Sequence, residues 1–116
     1  MKLTTPKESD VQKLILQWLR LQGAWTIRVN GGAVKTEGRF IRFTDTVGCP
    51  DILCCWPGLS SADSGRLVGI ECKRKGGKAS PDQLACIDAI NRAGGLAFVA
   101  SSLADVERAL KAEGLL

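Results

Sequence analysis

The segment between residues 66 and 100 constrains the fold most, because it predicts two strands joined by a helix. Residues 66–73 form an apolar run that becomes charged at its end, and residues 96–100 form a second apolar run. A helix is predicted between them, from Ser80-Pro81 to the pair Gly94-Gly95. A strand–helix–strand unit implies a parallel pair of strands with a right-handed crossover, so the sequence predicts an α/β fold. The residues expected to point inward from this helix are Leu84, Ile87 and Ile90.

Caps and apolar periodicity mark the elements around this unit. In the first helix, Thr5 is the predicted N-cap, Pro6 takes the first helical position and Glu8 closes a capping box. The other predicted elements are strands at 25–29, 39–44 and 51–56 and a last helix capped by Ser102. The predicted order is α-β-β-β-β-α-β-α. We expect one domain over residues 1–116, with a mixed central sheet flanked by helices.

Basic residues exceed acidic ones by 16 to 12, which gives a net charge of +4. They cluster in two stretches, residues 28–42 and residues 73–78. Such patches suit the phosphate backbone of nucleic acid. The alternative is that both stretches are simply solvated surface, and charge alone does not decide between the two.

The residue types that are missing or scattered also narrow the function. The chain has no histidine, which excludes histidine-based nucleases, hydrolases with a histidine base and histidine-ligated metal sites. Its five cysteines contain no C-x-x-C pair, so we expect small buried thiols in a reducing compartment. No apolar run approaches the roughly 20 residues that span a bilayer, and the first residues do not resemble a signal peptide. We expect a cytoplasmic protein of a bacterial or phage-infected host cell.

The three tryptophans, Trp18, Trp25 and Trp56, are expected in the core.

Asp51 is the first candidate for chemistry. Pro50 cannot join a central ladder, so it marks the entry of the strand and places Asp51 at the start. The alternative is an ordinary turn aspartate next to proline and glycine.

Glu71 and Lys73 are the second candidates. Residues two apart in a strand point to the same face, so these two side chains share a side at the end of an apolar strand. The alternative is a solvent-facing salt bridge.

A single metal site would explain the presence of all three residues, Asp51, Glu71 and Lys73. Mg²⁺ takes carboxylate oxygens, and Asp51 and Glu71 on neighbouring strands could supply them. Without a cation, two close carboxylates repel and one is driven towards protonation. Lys73 beside them could orient or deprotonate an attacking water, or offset phosphate charge. The alternative is an accidental pairing of unrelated acidic residues.

These residues resemble the signature of the PD-(D/E)xK nucleases, and the chain is most similar to short stand-alone phage members of the VRR-NUC (virus-type replication-repair nuclease) family. The resemblance covers nearly the whole chain and implies a restriction-endonuclease-like fold. The matching pieces are Glu8, Arg28-x-Asn30-x-Gly32, Gly48-x-Pro50-Asp51, Glu71-x-Lys73, Gly76 or Gly77, and Ser80-x-x-Gln83.

The resemblance implies a metal-dependent site. Asp51, Glu71 and the main-chain carbonyl of Cys72 would bind Mg²⁺ or Mn²⁺, with Glu8 a further candidate ligand. Lys73 would be the catalytic lysine, and Glu8 and Gln83 would approach from the two helices. Capping explains both Glu8 and Gln83 locally, and capping does not exclude a role in the site.

The resemblance also implies DNA as the partner. The residues expected to contact its backbone are Arg28, Asn30, Lys35, Arg74, Lys75 and Lys78. Stand-alone VRR-NUC proteins are similar to Holliday-junction resolvases, which act as symmetric dimers, so we expect a homodimer that hydrolyses phosphodiester bonds in four-way junctions. Three alternatives stay open: an endonuclease for flaps, nicks or duplex, a non-catalytic DNA-binding module, and a structural domain without a nucleic-acid role.

Overall fold

The computed structural model describes residues 5–29, 33–36, 39–42, 45–58 and 64–116, with the backbone alone at 33–36 and 39–42. Its elements in chain order are α1 (Glu8–Leu21), β1 (Trp25–Arg28), β2 (Ala33–Thr36), β3 (Arg39–Arg42), β4 (Ile52–Trp56), β5 (Arg66–Cys72), α2 (Pro81–Arg92), β6 (Leu96–Ala100) and α3 (Leu103–Ala112).

Four strands form a mixed sheet in the order β1-β4-β5-β6. β4 pairs antiparallel with both β1 and β5, whereas β5 and β6 are parallel and are joined through α2. The predicted crossover is therefore confirmed. The protein has an α/β fold, with a mixed sheet flanked by three helices, and this architecture is consistent with the restriction-endonuclease-like arrangement.

β2 and β3 pair with each other as a separate antiparallel hairpin. β3 lies within the strand predicted at 39–44, of which residues 43–44 fall outside the described residues. β2 is missing from the predicted order, because its four residues follow two glycines and are too short a run to stand out. With β2, the order becomes α-β-β-β-β-β-α-β-α.

One face of the four-stranded sheet carries the hydrophobic core. Ile52, Val68 and Ile70 are fully buried there beneath α1 and α3. Strand alternation puts residues 68, 70 and 72 of β5 on this face and residues 67, 69 and 71 on the other. The helix residues that fill the core are Val11, Ile15, Leu16, Leu19, Val106 and Leu110.

α2 covers the opposite face more thinly. It approaches the sheet at Gly69, where an added Cβ would lie 3.3 Å from Ile90 Cδ1. None of its residues is buried, and Leu84 is 53% exposed. Of the three α2 residues predicted to point inward, Ile87 and Ile90 are partly buried, whereas the prediction for Leu84 is wrong.

The tryptophans and cysteines divide between core and surface. Trp56 is buried and stacks on Trp18 with ring centroids 5.9 Å apart, as expected of core residues. Trp25 is 68% exposed on the edge strand β1, so its predicted core position is wrong. Cys54 and Cys72 are buried, and all five cysteines are free thiols.

α1 begins two residues later than predicted. Its N-cap is Lys7, and the Asp10 carboxylate accepts a hydrogen bond from the Lys7 backbone N–H at 3.4 Å. The predicted capping box of Thr5 and Glu8 is therefore wrong: Asp10 satisfies the N-cap amide, and Glu8 becomes the first helical residue. Within the described ranges, no helix combines the length and the apolar character that crossing a membrane requires.

Candidate active site

The two central carboxylates meet where β4 begins and β5 ends. Asp51 directly precedes β4, and Glu71 is the penultimate residue of β5. Because Ile52 pairs with Ile70 across the antiparallel strands, Asp51 and Glu71 come next to each other on the face away from the core. The predicted placement of both carboxylates on neighbouring strands is confirmed.

The main chain of Cys72 holds Asp51 at the end of β5. Its N–H donates to Asp51 Oδ2 at 2.8 Å, while the next residue, Lys73, donates its N–H to the Ala100 carbonyl on the other side of the strand at 2.9 Å. The N–H and C=O of one strand residue point to the same side. The Cys72 carbonyl therefore lies on the Asp51 side, where the resemblance places a metal ligand.

Glu8 joins the two strand carboxylates from α1. Carboxylate oxygens of Glu8, Asp51 and Glu71 all lie within 4.8 Å of one another. Glu8 stands in the first turn of α1, where the positive end of the helix favours a negative side chain. Since Asp10 performs the capping, the Glu8 carboxylate is left to the cluster.

Glu71 is the buried centre of the cluster, with only 1% of its surface exposed. Its Oε1 accepts a hydrogen bond from Gln83 Nε2 at 2.8 Å and lies 3.4 Å from Lys73 Nζ. Its Oε2 is buried and has no hydrogen-bond partner among the described residues. One oxygen is thus held by Gln83 and Lys73, whereas the other has no donor among the residues that the structure describes.

Burial and charge act in opposite directions on the ionisation of Glu71. The pKa of its carboxyl is raised to about 7, first by burial and then by the neighbouring Asp51 carboxylate, against the opposing effect of Lys73. Burial is thus the larger cause, and the expected repulsion between close carboxylates adds to it. A cation bound to the free oxygen would reverse this effect, because it favours the charged form.

Gln83 serves α2 and the cluster at once. Its side-chain Oε1 accepts from the Ser80 backbone N–H at 2.8 Å, and its backbone N–H donates to Ser80 Oγ at 3.2 Å. This is the predicted capping box. The same side chain uses Nε2 to bind Glu71, so the capping role and the site role occur together.

Gly48 lets the loop before β4 approach the start of α2. It has φ +78°, and an added Cβ would come within clashing distance of the Asp82 carbonyl and 2.7 Å from Gln83 N. Any other residue at position 48 would be strained and would push the first turn of α2 away. The glycine therefore helps to keep Gln83 near the carboxylates.

Four of the six predicted DNA-contacting residues have side chains that the structure describes, and all four are exposed. Arg28 ends β1 and is exposed, and the next amide, Val29 N, donates to the Asp51 carbonyl at 2.7 Å, so Arg28 lies at the same edge as the carboxylates. Asn30 and the side chain of Lys35 lie outside the described residues. Arg74, Lys75 and Lys78 are exposed on the loop that leads from Lys73 to α2.

Gln12 is a buried polar residue that the sequence-based prediction did not include. It lies one helical turn after Glu8 in α1, and its Oε1 has no hydrogen-bond partner in the part of the chain that the structure describes. A signal for it existed in the sequence, because an amide stands between Val11 and Ile15 on the apolar side of the predicted helix.

No family model matches the chain, and no curated protein matches it either. Its function is therefore inferred from the chemistry of the site.

Proposed function

We propose that this protein is a divalent-metal-dependent DNA endonuclease of the PD-(D/E)xK class, with the site arrangement of the VRR-NUC family. One observation carries the proposal: three carboxylates from three different elements lie within 4.8 Å of one another, beside a lysine that contacts the most buried of them. Acidic clusters are common on surfaces. A cluster with a buried, unpartnered carboxylate oxygen is not, because burial penalises the charge.

The residues fit Mg²⁺ or Mn²⁺. Both ions take oxygen ligands, and the site offers Asp51, Glu71, the Cys72 carbonyl and Glu8. The unpartnered Oε2 of Glu71 is the strongest single indication, because it requires a cation or a proton. When bound, such an ion would polarise the phosphate and make a water molecule more acidic.

Lys73 and Gln83 orient Glu71 and complement the charge at the site. Lys73 Nζ and Gln83 Nε2 both contact Glu71 Oε1, which fixes this oxygen and leaves Oε2 to accept a further ligand. The ammonium of Lys73 is mostly buried, so its attraction for a phosphate oxygen or a water molecule is weakly screened. In this role Lys73 would orient the attacking water and stabilise negative charge that develops on the phosphate.

The loop after β5 supplies a basic surface next to the site. Gly77 N donates to the Arg74 carbonyl at 2.8 Å, and Gly76 has φ +85°, the conformation that a type II turn requires at its third residue. This turn exposes Arg74 and Lys75 a few residues beyond Lys73, with Lys78 following. Together with Arg28 they would contact the phosphate backbone, which positions DNA without reading its sequence.

Four-way junctions are the substrate that we propose, and a homodimer is the active form. Symmetric cutting of two strands needs two active sites related by a two-fold axis, and one chain supplies a single cluster in the part of it that the structure describes. Size-exclusion chromatography with light scattering tests this with Mn²⁺ and a synthetic junction. A monomer at micromolar concentration would contradict the dimer.

A cleavage assay tests the proposed reaction. Labelled four-way junction, flap and linear duplex DNA are incubated with the protein and Mg²⁺, Mn²⁺ or EDTA. We expect cleavage that depends on the metal and is fastest on the junction. Equal rates on all three substrates would contradict the junction preference. No cleavage of any DNA with Mn²⁺, together with intact DNA binding, would instead identify a non-catalytic binding module.

A further inference from the structure

Among the described residues, the structure has two buried polar or charged side chains, Glu71 and Gln12. Glu71 belongs to the carboxylate cluster, and its burial is explained by that role. Gln12 is 8% exposed, and its Oε1 is buried with no hydrogen-bond partner in the described ranges. Buried amides are normally hydrogen-bonded, so an unpartnered one calls for a reason.

The position of Gln12 on α1 relates it to the cluster. Residues four apart lie on the same helix face, and side chains lean back towards the N-terminus of the helix. Gln12 is four residues after Glu8, so its side chain leans towards the turn that carries the Glu8 carboxylate. The neighbours Ile15 and Leu16 are apolar core residues and offer no donor.

The chemistry of the cluster indicates what Gln12 Oε1 binds. An amide oxygen needs a donor, but ionised Glu8, Asp51 and Glu71 are acceptors only. The nearby ammonium of Lys73 contacts Glu71 Oε1, as does the Gln83 amide. A hydrated divalent cation would bring the missing donors, because its water molecules carry polarised O–H groups that point away from the ion.

We propose that Gln12 is a positioning residue for the metal site, and that its Oε1 accepts a hydrogen bond from a water molecule of the bound ion. This inference rests on the proposed function. It adds a neutral acceptor from α1 to a site that already contains three carboxylates and the Cys72 carbonyl. A neutral acceptor orients water without adding a fourth negative charge beside the three carboxylates.

Mn²⁺ binding measured by calorimetry tests the role of Gln12. In Gln12→Met the side chain keeps its length and loses the acceptor, and we expect Mn²⁺ to bind about 10-fold or more weakly, as when other groups that orient metal ligands are removed. The metal-free variant should be as stable as the wild type or more so, since no amide is left unpartnered. Gln17→Met is the matched control, because Gln17 is exposed on the same helix, and its Mn²⁺ affinity should not change.

A second variant separates positioning from packing. Gln12→Glu retains an acceptor oxygen at the same distance, so it should bind Mn²⁺ at least as tightly as the wild type while its metal-free form is less stable. Mn²⁺ affinity within twofold of the wild type in Gln12→Met would overturn the role of Gln12 and leave the nuclease proposal standing. A wild-type protein that does not bind Mn²⁺ would overturn both.

Discussion

Ile70 and Glu71 are neighbours in β5, yet they point to two very different faces of the sheet. Ile70 enters a core that α1 and α3 fill with apolar side chains. Glu71 is as well buried, but it points to the face where α2 has no buried residue, and its partners are charged or polar. Burial of the Ile70 side chain thus stabilises the fold, whereas equal burial of the Glu71 carboxylate destabilises it.

The two faces of the sheet contribute differently to the stability of this small domain. Burying Ile70 removes apolar surface from water, which favours folding. Burying Glu71 removes a carboxylate from water and leaves Oε2 without a partner, which opposes folding unless a cation or proton is bound. Each of the following predictions tests this division between a stabilising face and a functional face.

The largest effect is expected at Lys73, on the functional face. Replacing Lys73 by Ala should lower the rate of DNA cleavage by about 1000-fold, within the range for losing a group that takes part in proton transfer or charge stabilisation. DNA binding should be largely retained. Single-turnover cleavage and a fluorescence binding titration measure the two effects. The control is Lys111→Ala, an exposed lysine on α3 whose loss should not alter cleavage. Unchanged cleavage in Lys73→Ala would refute the proposed mechanism.

Ile70→Ala tests the core face. The side chain is fully buried, so its truncation should lower the free energy of unfolding by about 2–5 kcal/mol. Leu67→Ala is the matched control in the same strand: Leu67 is 48% exposed on the other face, and we expect a loss below about 1 kcal/mol. Urea denaturation measures both. Equal losses would mean that the two faces contribute alike to stability.

The pH dependence of stability should report the strain at Glu71. The pKa of its carboxyl is about 7 in the folded protein, above the ordinary value of 4.5, so the folded state retains a proton that the unfolded state has lost between these values. This contribution to stability is complete below pH 4.5 and is lost as the pH rises through about 7.

Urea denaturation in EDTA across this pH range measures the effect. The free energy of unfolding should fall by less in Glu71→Gln, which has no carboxyl to titrate, than in the wild type. Added Mn²⁺ should stabilise the wild type more at pH 7.5 than at pH 5.5, because the ion competes with the proton. Parallel pH curves for the wild type and Glu71→Gln would contradict the raised pKa.

The smallest effects are expected at Ser80 and Gln83. Their variants separate the capping of α2 from the contact between Gln83 and Glu71. Ser80→Ala removes the N-cap acceptor of α2 but leaves the contact of Gln83 with Glu71, so it should cost about 1 kcal/mol of stability without changing the cleavage rate. Gln83→Leu keeps its own backbone bond to Ser80 Oγ but removes the two side-chain bonds of Gln83, to the Ser80 N–H and to Glu71. We expect a similar loss of stability and, in addition, about 10-fold slower cleavage, in line with losing a group that orients a ligand. Equal cleavage rates in the two variants would limit Gln83 to capping.

Much of the fold is predictable from local signals. The crossover from β5 through α2 to β6 follows from two apolar runs on either side of a helix with Ser80 at its cap, and the structure confirms it. The alternation around Glu71 likewise predicts that Lys73 lies on the same side, and the two side chains are in contact.

The wrong predictions have a common physical cause. Trp25 and Leu84 are apolar, and a pattern cannot reveal that one lies on an edge strand and the other on a thinly covered helix face. The predicted start of α1 is wrong because two acidic residues, Glu8 and Asp10, compete for the capping role. The choice between them depends on the path of the chain before the helix.

The sequence alone determined the type of each predicted element, though it missed β2, and the shared side of Glu71 and Lys73, because strand alternation and turn chemistry are local properties. The tertiary structure decided which other groups join them. It freed Glu8 from the capping role, gave Gln83 two partners, and buried Gln12 and one oxygen of Glu71 without partners. These features depend on how α1 and α2 pack against the strand ends, and this packing is a balance of many distant contacts that no local pattern records.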